Sequence, residues 1–349
     1  MSDIRLENIV KRFGTVSALD DISLHINHQE FFVLLGPTGA GKTTTLRIIA
    51  GLEKQDSGSV YFDGQPVNDL TPADRDVAFV FQQYSLYPNM SVFDNLAFPL
   101  RSPLRRTPEA EIRQRVTEAA EKLRITHLLE RKTARLSGGE MQRVSIGRAI
   151  VRNPRIFLMD EPLSNLDAKL REALRIELKH LQKTQGSTTL FVTHDQIEAL
   201  TMADRIAVLD EGHILQIGTP QDIYDRPQTT FVAQLVGSPR INLLPAHRKN
   251  GSYHIVDSTL DVPAPGDSDD DEVYVGIRPE DVLPGEGEFS GTVTLIEPLG
   301  VETIVHLRSG EQTLLSVIAG ASSYRLGEQI PFALARERLH YFNTDGLRL

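Results

Sequence analysis

GPTGAGKTT, the stretch from Gly36 to Thr44, decides the fold of this 349-residue chain. It matches the pattern G-x-x-x-x-G-K-[ST], whose glycines let the backbone curl so that its N–H groups point at phosphate oxygens. An apolar run before it, Phe31 to Leu35, indicates a buried strand. The residues after it, Thr44 to Ala50, indicate the start of a buried helix, whose N-terminus adds partial positive charge. The sequence therefore predicts a loop that binds the phosphates of ATP or GTP.

The loop predicts a metal contact as well as nucleotide contacts. Lys42 should reach the β- and γ-phosphates, and the hydroxyl of Thr43 should ligate Mg²⁺. The predicted nucleotide-binding residues of the loop are Gly36, Pro37, Thr38, Gly39, Ala40, Gly41, Lys42, Thr43 and Thr44.

Composition excludes several classes of protein. The chain has no cysteine, which excludes disulfides, thiolate catalysis and cysteine-based zinc sites and fits a reducing compartment. Its first residues, MSDIRLENIVKRFG, lack the apolar centre of a signal peptide. No run approaches the ~20 apolar residues of a membrane-spanning helix. We therefore expect a soluble chain whose membrane role depends on a partner.

The net charge of −10 is unevenly distributed along the chain. Residues 241–349 hold 8 basic and 17 acidic residues, a net of −9, whereas residues 1–240 are close to neutral. An acidic C-terminal part should repel a phosphate backbone, so we expect no binding of nucleic acid there.

Patterning changes near Ser238 and predicts two domains. Before this point, strand and helix patterns alternate, which indicates an α/β layered domain at 1–237 with a mostly helical subdomain at about 87–150. Thr107 and Pro108 predict a helix cap and a first helical position. Further apolar runs typical of strands buried on both faces are Val60–Phe62, Val77–Phe81, Ile156–Met159 and Thr189–Val192.

Residues 238–349 have the spacing of a small all-β barrel or sandwich. Short β-like runs recur between turn signals at Val273–Val275, Thr292–Ile296, Thr303–Leu307 and Thr313–Val317. The acidic stretch from Pro263 to Glu272 predicts an exposed, solvated loop, with cation binding as the alternative.

Two carboxylates follow one of the apolar runs. Asp160 and Glu161 end the strand pattern Ile156–Met159. Such a pair can be an ordinary turn or helix cap, but a phosphate-binding loop upstream favours a catalytic interpretation. Asp160 would then hold Mg²⁺ through water, and Glu161 would act as general base on the attacking water.

The segment LSGGEMQ, Leu136 to Gln142, could be a glycine-rich helix junction. It also resembles the LSGGQ signature of ABC transporter ATPases, with Glu140 in place of the usual glutamine. The resemblance implies that the segment opens a helix, and that Ser137, Gly138 and Gly139 grip the γ-phosphate of ATP held on an opposing subunit. Glu140 would bind the same nucleotide. A glutamate there places a negative charge near the nucleotide while still accepting a hydrogen bond from ribose, so we expect an altered rate rather than lost function.

Other motifs of the same family follow in order. Gln82 resembles the glutamine that touches Mg²⁺ and senses the transmembrane partner, although Gln83 is adjacent. Ser164–Asp167 resembles the loop that crosses the dimer interface, and its alternative is a helix cap. His194 resembles the switch histidine that contacts the γ-phosphate. The alternative interpretation is a structural histidine at the end of a strand. Phe13 resembles the aromatic residue that stacks on adenine, and its alternative is a core phenylalanine.

The tail extends the resemblance. Val275–Glu280 (VGIRPE) and Gly291–Val293 are similar to the oligomer-binding-type regulatory domain of sugar-importer ATPases, with the maltose and glycerol-3-phosphate importer ATPases as the nearest types. Polyamine and iron importer ATPases carry related domains. The implied fold class is an α/β P-loop NTPase of the ABC type with a helical subdomain, followed by a C-terminal all-β regulatory domain.

The resemblance implies an ATP hydrolase with ATP and Mg²⁺ as cofactors. It would work as a head-to-tail dimer, either of two identical chains or with a related second ATPase, that drives import of a carbohydrate or related polyol or glycoside. Its partners would be transmembrane permease subunits, docked near Gln82–Pro88, and a separate solute-binding protein. The chain would lie peripherally on the cytoplasmic face of the cell membrane. Tyr84, Leu86 and Tyr87 would line the docking groove or pack between helices.

Three alternatives remain. The imported solute could be a polyamine, a phosphate ester or a glycoside. The chain could instead be a regulatory protein that binds a partner and uses ATP only to change shape. A P-loop kinase is the third alternative, but it should lack both Ser137–Gly139 and His194.

Overall fold

The computed structural model describes residues 3–102, 107–266 and 270–349. It contains two compact units, Met1–Pro220 and Gln221–Leu349. The strands of the first unit are β1 (Ile4–Phe13), β2 (Val16–Ile26), β3 (Phe31–Leu35), β4 (Ser57–Phe62), β5 (Gln65–Pro66), β6 (Ala78–Val80), β7 (Ile156–Asp160), β8 (Thr188–Thr193), β9 (Arg205–Asp210) and β10 (His213–Gly218). Its helices are α1 (Lys42–Ala50), α2 (Val92–Ala97), α3 (Glu109–Lys122), α4 (Gly138–Ile150), α5 (Ala168–Gln185) and α6 (Gln196–Met202).

The central sheet of the first unit has the strand order β10-β9-β3-β8-β7-β6. Strands β9, β3, β8, β7 and β6 are parallel, and β10 pairs with β9 antiparallel. Every residue of β3, β7 and β8 is buried, because helices cover both faces of a parallel sheet. The segments that follow β3, β6, β7 and β8 therefore leave the sheet at one edge, where ligands of open α/β sheets bind.

The run Val60–Phe62 does not belong to the central sheet. It ends β4, which lies in a separate antiparallel sheet of order β2-β1-β4-β5. Val60 is buried opposite Leu6, whereas Tyr61 and Phe62 are half-buried. The prediction of a strand buried on both faces was wrong here, because an antiparallel sheet can pack one face on the core and leave the other near water.

Two helix starts differ from the sequence prediction. Helix α1 begins at Lys42, two residues before Thr44, because Gly41 takes the N-cap position with φ of 104°. Pro108 is the N-cap of α3 in extended backbone, so the prediction that it is the first helical residue was wrong by one position. The predicted apolar face of α3 and its C-cap is buried: Ile112, Val116, Ala119, Ala120 and Leu123.

The second unit is predominantly β-structure, as expected. Its strands are β11 (Asn242–Lys249), β12 (Ser252–Ile255), β13 (Asp261–Pro263), β14 (Glu272–Ile277), β15 (Val282–Pro298), β16 (Glu302–Ser309), β17 (Gln312–Ala319), β18 (Gln329–Leu334) and β19 (His340–Phe342). They form two antiparallel sheets of order β13-β12-β11-β14-β19 and β17-β16-β15-β18. The predicted loop from Pro263 to Glu272 connects β13 to β14, and residues 267–269 lie outside the described part.

Two short helices, α7 (Pro220–Asp225) and α8 (Thr230–Leu235), precede the sheets of the second unit. The buried guanidinium of Arg278 donates to the carbonyl oxygens of Tyr224 at 2.8 Å and Ala233 at 3.2 Å, which attaches both helices to the β-structure. Along the chain, the division between the compact units falls after Pro220. The domain boundary that composition places between 237 and 238 stays a prediction. No helix in the described part of the chain is both long and apolar enough to span a bilayer.

Candidate nucleotide-binding site

The loop from Gly36 to Thr44 connects β3 to α1 and requires glycine at several positions. Gly39 and Gly41 have φ of 88° and 104°, in the left-handed region that glycine tolerates best. A Cβ atom added at Gly36 would lie 2.1 Å from the carbonyl oxygen of Leu209. The backbone thus curls as the motif predicts, and α1 begins directly behind it.

Lys42 is buried inside this loop. Its Nζ donates to the carbonyl oxygens of Gly36 at 3.0 Å and Pro37 at 2.9 Å, and it lies 3.8 Å from Oε1 of Glu161. Burial lowers the pKa of Lys42, and the carboxylates of Glu161 and Asp160 oppose that shift. A phosphate beside the ammonium group would favour its charged form further, because an opposite charge at short range stabilises it.

Thr43 and Asp160 place two oxygen donors together. The hydroxyl of Thr43 donates to Oδ1 of Asp160 at 2.9 Å, which links the start of α1 to the end of β7. Burial raises the pKa of Asp160, while the hydrogen bond from Thr43 opposes that shift. The arrangement would gain from a cation, since a buried carboxylate is costly unless it is paired.

Glu161 is the residue on which the other predicted catalytic groups converge. Its Oε2 accepts from Nε2 of Gln82 at 3.2 Å and lies 3.1 Å from Nδ1 of His194. The backbone of Glu161 has φ of 43°, and its N–H donates to the carbonyl oxygen of Val192 at 3.0 Å. Left-handed backbone at a non-glycine residue is a local strain that clusters at functional sites.

A cavity of about 230 Å³ opens beside these groups. The described residues that line it are Ala18, Thr38, Gly39, Gly41, Lys42, Thr43, Thr44, Gln82 and Glu161. Ala18 was not predicted, since nothing in its sequence neighbourhood distinguishes it.

Phe13 lies at the end of β1, outside the group of residues that line the cavity, with 49% of its surface exposed. The ammonium of Lys11 lies 4.9 Å from the centre of its ring. The core-phenylalanine alternative for Phe13 is therefore wrong.

The signature segment opens a helix, as the resemblance implies. Ser137 is the N-cap of α4, and its side chain forms a reciprocal capping box with Glu140. A Cβ atom at Gly139 would lie 2.3 Å from a methyl carbon of Leu170, so α4 and α5 approach closely there. Gly138 faces the hydroxyl of Tyr84. The segment is not part of the described cavity lining.

The segment Ser164–Asp167 connects the two carboxylates to α5. The hydroxyl of Ser164 donates to the carbonyl oxygen of Glu161 at 3.0 Å. Asp167 caps α5 by accepting from the N–H of Leu170 at 2.9 Å. The segment thus has the local capping role that the sequence left open, and it also supports the turn of Glu161.

A buried network behind His194 was missed from the sequence. The hydroxyl of Thr193 donates to Glu198 at 2.6 Å and accepts from the N–H of Asp195 at 2.9 Å. Burial raises the pKa of Glu198. The one available signal was the Asp-x-x-Glu spacing from Asp195 to Glu198, which is typical of a helix N-terminus. This network fixes the turn that carries His194.

Comparison with protein-family models agrees with this architecture. The ABC transporter model matches residues 19–164, the MalK OB fold domain matches residues 237–282, and the TOBE domain matches residues 275–342. The predicted fold class, an ABC-type P-loop ATPase followed by a β-rich domain, is thereby confirmed.

Curated relatives match along their full length. The chain is 46% identical to the trehalose/maltose import ATP-binding protein MalK of Thermococcus litoralis, covering 98% of each chain. It is 45% identical to an sn-glycerol-3-phosphate import ATP-binding protein, UgpC 3 of Agrobacterium fabrum, covering 100% of each. It is 43% identical to the alpha-glucoside transport ATP-binding protein AglK of Rhizobium meliloti, covering 99% of each.

Solved structures match the ATP-binding part. The ATP-binding cassette MJ0796, in a dimeric post-hydrolysis state bound to ADP and Pi, is 33% identical with a TM-score of 0.57. That match covers 62% of this chain and 98% of MJ0796. CbiO1 of Clostridium perfringens is 28% identical with a TM-score of 0.59, covering 64% of this chain and 90% of CbiO1.

The chain belongs to the ABC transporter family of ATP-binding proteins, within the branch of import ATP-binding subunits. The loop motif alone fits either ATP or GTP, and membership of this family identifies the nucleotide as ATP. The chain is an ATP hydrolase. The P-loop kinase alternative is therefore wrong.

Replacing Lys42 tests the loop directly. We expect Lys42→Ala to raise the dissociation constant for ATP by about tenfold or more, since a hydrogen bond to a charged group contributes about 1.5–3 kcal/mol. Equilibrium binding of a fluorescent ATP analogue measures the change, with the exposed Lys122→Ala on α3 as control. Equal affinity in the two variants would contradict the assignment of Lys42.

Proposed function

We propose that the chain is the ATPase subunit of a carbohydrate or polyol importer, and that a pair of chains hydrolyses ATP at its shared interface. The observation that carries the proposal is the convergence of Lys42, Gln82 and His194 on Glu161. These groups come from segments after β3, β6, β7 and β8, so the sheet itself assembles them at one edge.

The chain's own groups divide the work of hydrolysis. Loop N–H groups and Lys42 bind the phosphates, and their fixed positive charge stabilises charge that develops in the transition state. Glu161 orients the attacking water and takes its proton as general base. His194, held beside Glu161 by the Thr193–Glu198 network, completes the contact to the γ-phosphate.

Mg²⁺ fits the oxygen donors beside the loop. The Thr43 hydroxyl, the Asp160 carboxylate and the Gln82 amide oxygen are the donor types that Mg²⁺ prefers, and it commonly takes few protein ligands together with waters and substrate phosphates. Mg²⁺ would neutralise phosphate charge there.

The second half of each site would come from another copy of the chain. Ser137, Gly138, Gly139 and Glu140 present the N-terminus of α4, which attracts anions, yet they do not line the cavity of their own chain. The dimeric MJ0796 structure supports pairing of such domains. Nucleotide in the cavity of one chain would therefore meet the Ser137–Glu140 segment of its partner.

A groove of about 210 Å³ near the Gln82–Pro88 segment suits a permease helix. Tyr87 and Phe98 line it with ring centres 4.5 Å apart, and they are 39% and 45% exposed. Arg148 also lines it. Two exposed aromatic rings beside an arginine are typical of a binding surface. Of the three residues predicted to line the docking groove, Tyr87 lines it. Tyr84 and Leu86 are half-buried and are not among the described residues that line it.

The remaining partners follow from the relatives. Their printed names, for trehalose/maltose, sn-glycerol-3-phosphate and alpha-glucosides, support a carbohydrate or polyol phosphate as solute. Import by such a system would require a solute-binding protein and place this chain on the cytoplasmic face of the membrane. The C-terminal unit would act as a regulatory domain.

Glutamine at position 161 separates binding from chemistry. We expect Glu161→Gln to bind ATP normally while lowering turnover by roughly 100-fold or more, because the amide cannot accept the proton of the water. Phosphate release and ATP binding are measured on the same preparation, with Glu172→Gln on α5 as control. Turnover near that of the control would remove Glu161 from the role of base.

The permease groove is tested with solute. We expect the chain, purified with its permease and supplied with loaded binding protein, to hydrolyse ATP faster with maltose, trehalose or glycerol 3-phosphate than with spermidine.

Replacing Phe98 tests the groove in the same assay. Phe98→Ser should weaken the stimulation by solute about tenfold, since aromatic anchors carry much of an interface's binding energy, while basal hydrolysis stays unchanged. Leu70→Ser, at an exposed leucine on another surface, is the control. Equal stimulation of both variants would exclude the groove, and stimulation by spermidine alone would exclude a sugar-type solute.

A further inference from the structure

Glu140 accepts hydrogen bonds from both donor groups of Ser137. One carboxylate oxygen, Oε2, accepts from the backbone N–H of Ser137 at 2.7 Å and from its hydroxyl at 2.9 Å. The Ser137 hydroxyl oxygen in turn faces the N–H of Glu140 at 3.4 Å. The N–H of Ser137 holds the pKa of Glu140 below its ordinary value, so the carboxylate is ionised at neutral pH.

These contacts use the donors that a phosphate would need. A serine hydroxyl has a single proton to donate, and here that proton is directed at Glu140. The N-terminus of α4 is a place where backbone N–H groups and the helix dipole attract anions. In this chain, an anion that belongs to the same turn already lies at that position.

We propose that Glu140 is an internal competitor of the ATP phosphate, and that its carboxylate restrains closure of the nucleotide-bound pair. The inference rests on the proposed function, in which Ser137 binds nucleotide held by the partner chain. To make that contact, the Ser137 hydroxyl must leave Glu140 and donate to a phosphate oxygen. Glu140 is therefore a positioning residue that acts through Ser137.

Two arginines, Arg131 and Arg143, attract the carboxylate of Glu140. The guanidinium of Arg131 lies 3.9 Å from Oε1, and its side chain is 50% exposed. An exposed ion pair of this kind contributes little in water. Phosphate arriving at the turn would thus meet a carboxylate with much of its charge, and the two anions repel each other.

Glutamine at position 140 removes the charge and keeps the shape. Either Glu or Gln at this position of a capping box can accept from the N-cap N–H, so the helix start should persist. The test uses the full chain with Glu161→Gln, which holds ATP without hydrolysing it. The ATP and Mg²⁺ concentration that gives half-maximal dimer is measured by light scattering, with and without Glu140→Gln.

We expect Glu140→Gln to lower the half-maximal ATP concentration by about tenfold, since the serine hydroxyl leaves a neutral partner more easily than a charged one. The difference should shrink as salt is raised, because salt screens exposed charges. Glu121→Gln, at an exposed position on α3, should leave the midpoint unchanged. In a Ser137→Ala background, the effect of Glu140→Gln should be smaller, which a double-mutant cycle measures.

The outcomes separate this inference from the function on which it rests. If Glu161→Gln dimerises with ATP and Glu140→Gln leaves the midpoint unchanged or raises it, the competitor role is overturned while the proposed function stands. If ATP fails to dimerise either variant, both are overturned. Thermal unfolding identifies a folding defect in Glu140→Gln; Glu140→Ala, which also removes the charge, then replaces it, and a midpoint unchanged from that of the Glu140 chain would overturn the inference.

Discussion

One carboxylate of the first unit contacts side chains from three other segments. Glu161 meets Lys42, Gln82 and His194, and each of these side chains follows a different strand of the parallel sheet. The contact forms only if the strand order is the one observed, because a different order would separate the segments. The order of the strands therefore determines both the fold of the sheet and the grouping of these four side chains.

The same site contains two buried charged groups, Lys42 and Asp160, that favour a charged ligand. Burial disfavours the charged forms of Lys42 and Asp160, and each is only partly compensated by its neighbours. A triphosphate would compensate the lysine, and Mg²⁺ would compensate the aspartate. ATP together with Mg²⁺ would therefore complement both charges of the pocket.

Sequence was sufficient wherever a residue's role depends on its own segment. The apolar runs of β3, β7 and β8 and the glycines at 39 and 41 dictate local backbone, so the structure agrees with them. Contacts between distant segments were harder to predict. The burial of Val60 depends on the pairing of β4 with the distant strand β1. The contact of Glu198 with Thr193 is local, but the sequence does not show that both side chains are buried. The nucleotide contact of Glu140 stays a prediction; within the chain its carboxylate accepts from the N–H and hydroxyl of Ser137.

The central claim is that nucleotide lies between Lys42 of one chain and Ser137 of another. A crystal structure of Glu161→Gln with ATP and Mg²⁺ tests it most directly. The account predicts a closed pair in which Lys42 has moved from its loop carbonyls to the phosphates, and the partner's serine hydroxyl contacts the same nucleotide. A structure in which that serine faces solvent while the nucleotide is bound would contradict it.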